Sequence, residues 1–256
     1  MEQNFSVVIA CKGEAENLLI ILPKVLEYCD DVIVVIDRID CDNSSLICKR
    51  FPVTILRQIK SGKGDALRLG VRSSDRLIIV FMDADGSHNP RDIPKLVRPI
   101  DEYGIDLVVG SRMLGGSAEL FSEFPHIVRL VGSLFVTMVL NRKFRVNITD
   151  SQNGFRAIKR MVFEELHLKE RHTTIEQEMT SKLLAANRYQ MIEIGTHEFA
   201  RNKGESKIKV FVHGWRYLFV LAQILFCRRS KALKIPPHDS HPLFLQAIFN
   251  SPWYSI

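Results

Sequence analysis

Asp83-Ala84-Asp85 closes the apolar run Leu77-Ile78-Ile79-Val80-Phe81-Met82 and so places two acidic side chains where a buried strand ends. Residues i and i+2 of a strand share a face, which lets both carboxylates point into one crevice beyond the strand's carboxyl end. Hard oxygen ligands of this kind suit Mg²⁺ or Mn²⁺, and such an ion completes its shell with water and substrate phosphates. Turn chemistry offers a plainer account, since two Asp residues before Gly86 and Asn89-Pro90 would also open a loop. The tripeptide alone does not decide between them.

Three further groups have a chemical use. Lys60-Ser61-Gly62-Lys63-Gly64-Asp65-Ala66 sets Lys63 on a glycine-flanked turn that opens a helix, where a cation and unpaired backbone N–H groups can meet a phosphate. An exposed lysine at a helix start is an equally simple reading. Gly110-Ser111-Arg112 follows another apolar run and offers a guanidinium, either for an anion or for an ion pair at the sheet edge. From Pro125 to Asn141 the polar residues Arg129, Ser133, Thr137 and Asn141 recur every four positions, along one side of a helix that is otherwise mostly apolar.

The elements that must position these groups follow from hydrophobic periodicity. Apolar runs at 6–10, 32–36, 53–56, 77–82 and 106–109 alternate with helix-like stretches near 14–28, 62–73 and 89–103, the pattern of βα units in a mostly parallel sheet. The fold class is therefore α/β. Ligands of such sheets bind beyond the strand carboxyl ends, where the Asp37, Asp83 and Arg112 segments terminate. Pro23 should start or kink a helix, and Asn89-Pro90 reads as a cap followed by proline at the first helical position. A second greasy stretch, Trp215 to Phe226, is followed by Arg228, Arg229, Lys231 and Lys234. Neither stretch supplies about 20 uninterrupted apolar residues, so neither should span a bilayer. Both suit the membrane interface, and both equally suit packing on the sheet or a homo-oligomer contact.

With 256 residues and 46% hydrophobic content, the chain can bury a sizeable core. Its formal net charge of +6 and pI near 9.1 suggest an acidic partner. No nucleic-acid-binding module is recognisable, and the basic residues are dispersed or sit beside apolar runs, which favours phosphate and lipid over nucleic acid. Cys11, Cys29, Cys41, Cys48 and Cys227 form no C-x-x-C pair and no ligand cluster with histidine, so reduced thiols in a cytosolic setting are expected. The start of the chain reads as a strand, not a signal peptide.

Taken in order, Ile9 to Leu18, Asp37 to Ser44, Asp83-Ala84-Asp85, Gly110-Ser111-Arg112 and Arg201-Asn202-Lys203-Gly204-Glu205-Ser206-Lys207 resemble the family 2 glycosyltransferases, most closely their polyprenyl-phosphate (dolichol-phosphate mannose synthase-like) branch. The resemblance implies a GT-A fold, a Rossmann-like, mostly parallel central sheet flanked by helices, with two amphipathic interface helices. Residues 1–211 would form the catalytic domain, and 212–256 an amphipathic helix with a basic and aromatic tail. It also implies a metal-dependent, inverting hexosyltransferase, peripheral at the cytoplasmic membrane face, with a nucleotide-sugar donor and a dolichyl or undecaprenyl phosphate acceptor.

By the same resemblance, Asp83 and Asp85 would hold Mg²⁺ or Mn²⁺, with Ser87 where relatives often carry Gln. Ala10, Cys11, Glu14 and Asp37 match the nucleoside side, and Ala84 lies between the two metal ligands. Lys63, Arg201 and Lys207 would meet the diphosphate, the last two from a closing loop. Arg112, Arg129 and Ser133 match acceptor-phosphate residues, Asp150 the donor-sugar side and Glu178 a carboxylate near the acceptor. A phosphate monoester, with a second pKa near ~6, needs capture and aim more than a strong base. The chain departs from the family where Lys12 and Gly13 replace Tyr and Asn, and where Arg38 and Ile39 replace an acid and a glycine. Two rivals therefore remain. One is transfer to a soluble glycan or small hydroxylated acceptor; the other is a non-catalytic nucleotide-sugar-binding protein.

Overall fold

Dense runs of Val and Ile favour strands that can be covered on both faces, and the computed structural model, which describes residues 3–118 and 124–200, places them so. β1 (Phe5–Cys11), β2 (Val32–Ile36), β3 (Thr54–Arg57) and β4 (Ile78–Asp83) alternate with α1 (Ala15–Leu26), α2 (Ser44–Cys48) and α3 (Lys63–Arg72). There follow α4 (Ile93–Tyr103), β5 (Leu107–Ser111), α5 (Arg112–Gly115), α6 (Phe124–Phe144), β6 (Arg156–Lys159), α7 (Arg160–Glu165), α8 (Ile175–Ala186) and β7 (Met191–Gly195). The strands form one seven-stranded sheet in the order β3-β2-β1-β4-β6-β5-β7. All pairings are parallel except those of β6, which runs antiparallel to β4 and β5. The α/β, mostly parallel expectation holds.

β1 has β2 on one side and β4 on the other, with Ala10 in register with Asp83. Strand order reverses here, so the chain leaves β1 and β4 in opposite directions and opens a crevice beyond Cys11 and Asp83. Leu18, Leu22 and Val25 of α1 and Leu96 and Ile100 of α4 cover one face over Val7, Ile9, Val34 and Val80. Leu67, Val71, Phe163, Met179 and Leu183 cover the other over Val8, Ile33, Val35, Ile79 and Phe81. Each such fully buried side chain contributes roughly 1.5–3 kcal/mol, which holds the strand ends in fixed relation.

Asn89 caps the turn before α4, its side chain accepting from the Arg91 N–H, as Asn89-Pro90 suggested. Pro23 neither starts nor ends a helix; α1 runs through it to Leu26. The missing N–H falls opposite the carbonyl of Leu19, a residue exposed enough for water to take its place. β6 and β7 escape the periodicity because Arg156-Ala157-Ile158-Lys159 and Met191-Ile192-Glu193-Ile194-Gly195 are short and carry charge. Among the described residues no helix is long and apolar enough to cross a membrane. Trp215 to Phe226, the boundary at 211, Arg201 and Lys207 lie outside the described residues.

Candidate active site

The crevice is a cavity of about 370 Å³ lined by the ends of β1, β2 and β4, the start of α3, and parts of α5, α6 and α8. At one end of it, beyond β1 and β2, lie Ala10, Cys11, Glu14 and Asp37. Burial pushes the Cys11 thiol up to about 12, so it is a thiol donating to Ser44 Oγ and not a nucleophile. Burial would also raise Asp37, but the Ser61 hydroxyl, 2.7 Å from both its oxygens, the Ile39 N–H and Lys12 at 3.5 Å hold it below the usual carboxylate range. Lys12, at a position where the chain departs from the family pattern, thus supplies a counter-charge to Asp37.

Asp83, Ala84, Asp85 and Ser87 line the middle of the same cavity. Ser87 donates to Asp85 Oδ1 through its hydroxyl at 2.7 Å and its N–H at 3.1 Å. The hydroxyl thus orients Asp85 and leaves its own oxygen lone pairs on the same cavity wall. His88 is more than a turn residue, since its Nδ1 accepts from the Asp83 N–H at 3.2 Å while its ring stacks on Phe155 at 4.8 Å. Lys63 Nζ lies 2.5 Å from Asp83 Oδ1 and 2.7 Å from Glu176 Oε1. Burial works against its charge, yet these two carboxylates raise its pKa above that of an ordinary lysine.

Backbone geometry builds this cradle. Gly62 has φ +131°, and a Cβ there would lie 2.1 Å from the Arg171 carbonyl oxygen, so only glycine lets the start of α3 press against the 168–174 loop. A Cβ at Gly154 would lie 2.6 Å from Lys63 Nζ and 3.0 Å from Asp83 Oδ2. Arg156, fully buried behind it, donates to the Asn153, Ser151 and Glu176 carbonyls and to Thr180 Oγ1. It thereby ties the 151–154 segment to α8.

At the far end Arg112 donates from Nε to Asp150 Oδ2 at 2.6 Å and from Nη2 to Oδ1 at 3.0 Å, with Nη1 3.4 Å from Glu198 Oε1. Burial would raise Asp150, but this fork holds it below the usual carboxylate range. Arg112 lines the cavity; Asp150, expected on the donor-sugar side, is paired behind it and off the cavity lining. Glu178, expected near the acceptor, is also off the cavity lining. It accepts from the Lys169 and Glu170 N–H groups and pairs with Lys182 at 2.8 Å. Two residues along a helix differ by about 200° in direction, so Glu176, not Glu178, reaches the cleft.

α6 contributes Leu130 and Ser133 to the lining. Its polar stripe turns inward: Thr137 Oγ1 is 2.8 Å from Ser151 Oγ, and Asn141 bonds the Ile148 backbone at 2.8 and 3.0 Å. Val131, Leu134, Phe135 and Met138, spaced i, i+3, i+4 and i+7, face outward and are exposed. Arg129 belongs to α6, but its side chain lies outside the described residues.

A sheet with nucleotide-type switch-point topology, paired acids and a diphosphate-sized cleft is a frequent arrangement, so sequence comparison decides the family. The Glycosyl transferase family 2 model matches residues 6–167. The chain belongs to glycosyl transferase family 2. A dolichol-phosphate mannosyltransferase of Pyrococcus furiosus is 30% identical over 216 residues, covering 80% of this chain and 59% of that protein. A polyprenol monophosphomannose synthase of Mycolicibacterium smegmatis is 29% identical over 178 residues, 65% of each. The chain thus spans less than two thirds of either relative. Glucosyl-3-phosphoglycerate synthase of Mycobacterium tuberculosis, solved with Mn²⁺, UDP and glucosyl-3-phosphoglycerate, superposes with a TM-score of 0.67 at 17% identity, covering 90% of this chain and 82% of that one. At that identity the likeness establishes the GT-A fold of this family 2 glycosyltransferase.

Proposed function

We propose that the chain transfers a hexose from a nucleotide-diphosphate sugar to a polyprenyl phosphate at a membrane surface, with inversion. One observation carries the acceptor class: α6 lines the donor cleft with Leu130 and Ser133 while turning Val131, Leu134, Phe135 and Met138 to solvent. A helix with its polar stripe inward and its apolar stripe outward suits a protein whose outside is not water, and a lipid acceptor brings its phosphate to that place. The names of the Pyrococcus and Mycolicibacterium relatives support the same class.

Asp83 and Asp85 would hold Mg²⁺ or Mn²⁺, and the donor set fits: two hard carboxylates at one strand end on the cavity wall, an ion of this kind taking its other ligands from water and phosphate. Bound there, the ion would offset charge on the departing diphosphate. The residues of the chain do the rest. Asp37, Glu14 and the β1 end cradle the nucleoside, and Lys63 supplies positive charge beside Asp83. Arg112, oriented by Asp150 and Glu198, lines the same cavity as Ser133, and the two would aim the acceptor phosphate. That phosphate is already largely ionised, so no described side chain need take its proton.

The test presents a panel of nucleotide sugars with polyprenyl phosphate in anionic vesicles and Mn²⁺. A lipid-extractable, phosphate-linked sugar of inverted anomeric configuration is expected. Transfer only to water-soluble hydroxylated acceptors, with no flotation of the protein on vesicles, would replace this reading with the soluble-acceptor one.

A further inference from the structure

Lys63 sits where its charge conflicts with the ion expected on Asp83. Its ammonium makes close contacts to Asp83 Oδ1 at 2.5 Å and Glu176 Oε1 at 2.7 Å, and only 17% of its side chain is exposed. It is packed from behind, since a Cβ on Gly154 would fall 2.6 Å from Nζ. Glu176 is buried, and its second oxygen, Oε2, has no hydrogen-bond partner among the described residues. A buried carboxylate oxygen left unsatisfied is costly and rare, whereas an ammonium has three N–H groups to give.

We propose that Lys63 is a built-in counter-ion that occupies Asp83 until a divalent ion arrives, and that Glu176 is the positioning residue that then keeps the ammonium in the cleft. The inference rests on the reading that Asp83 and Asp85 hold the ion. Lys63 already holds Oδ1 of Asp83, and an ammonium and a dication sharing that carboxylate repel, so each opposes the other's binding. Released from Asp83, Lys63 turns its N–H groups to both oxygens of Glu176 and stays beside the position of the donor diphosphate. The ion therefore binds the donor-free protein weakly, and the diphosphate, by attracting Lys63, helps free its site.

Mn²⁺ binding to the intact, donor-free protein, read from the free-ion signal in electron paramagnetic resonance, tests this. Lys63→Met should bind Mn²⁺ at least tenfold tighter than the wild type. Glu176→Gln should weaken binding severalfold when Lys63 is present and by less than twofold in the Lys63→Met background, because Glu176 acts through Lys63. Equal effects of Glu176→Gln in both backgrounds, or no gain in Lys63→Met, would overturn the proposal. Should Lys63→Met fail to fold with Glu176 unpaired, a Mg²⁺ titration of the wild type decides. The Lys63 side-chain ¹⁵N signal, assigned through Lys63→Arg, must shift yet persist; an unmoved signal is contrary. Neither measurement involves an acceptor, so a wrong acceptor class leaves both untouched. Asp85→Asn binding Mn²⁺ as the wild type does would instead refute the metal site itself.

Discussion

Two cations face the same cleft and are held in different ways. Lys63 pairs with Asp83, whose side chain is 30% exposed, and with Glu176, which has an oxygen to spare. Arg112 is forked onto Asp150, whose side chain is 1% exposed, and Asp150 is braced from behind because Glu193 accepts the Thr149 and Asp150 N–H groups at 2.6 and 2.7 Å. Glu198 completes the cage from the segment after β7 and also accepts from the Ser117 hydroxyl. The Asp83 end is thus an ionic cluster for which we propose an exchange of partners, while the Arg112 end is a scaffold whose charges are already paired on both sides. Preorganised dipoles cost no rearrangement during reaction, which suits a site that must aim a nucleophile.

The sharpest way to break the comparison is to unpair Arg112. Asp150→Ala leaves a buried guanidinium without its main partner and should cost about 3–5 kcal/mol in urea unfolding. The same pair gives a pH signature. Because Asp150 is held below the ordinary carboxylate range in the folded protein, its stabilisation is complete above that range and disappears as pH falls through the lowered value. Asp150→Asn should therefore flatten the acid limb of the stability curve.

At the Asp83 end Gly154→Ala should do the reverse. Gly154 does not have the positive φ that demands glycine, so the unfolding midpoint should stay near that of the wild type. The new methyl group, however, meets Lys63 Nζ and Asp83 Oδ2, and transfer should fall on the order of 10²-fold, the scale of an ångström's misplacement. A smaller effect tests the outer face of α6: Phe135→Asp should lower vesicle partitioning roughly tenfold, as expected for losing one buried aromatic. Nucleotide affinity should not move. Smallest of all, Lys12→Ala removes an ion pair whose lysine side chain is 62% exposed, and it should change nucleoside affinity by no more than about 1 kcal/mol.

The crevice at the strand ends was legible in the sequence because local rules place it. Asp37, Asp83 and Asp85 stand where apolar runs stop, and strand termini at a switch point are a short step from that pattern. The choice between Glu176 and Glu178 was not legible. α8 is buried almost all round, from Ile175 through Ser181, so it has no polar face from which to read the helix phase. Arg112 stood out in its Gly-Ser-Arg context, but its partners lie 38 and 86 residues away, a separation at which composition says nothing about pairing. The part played by Arg156 was not legible either. Its structural task, caging the 151–154 carbonyls beneath the cleft, depends on an antiparallel β6 that four residues of mixed polarity do not announce.

Sugar transfer after chelation and Mn²⁺ readdition, wild type against Asp85→Asn, most directly tests whether the acids at the end of β4 hold the ion that serves the departing diphosphate. The wild type should lose transfer on chelation and regain it with Mn²⁺, while Asp85→Asn should stay at least 10²-fold lower at every Mn²⁺ concentration. Full transfer without metal, or an Asp85→Asn protein as active as the wild type, would contradict the account.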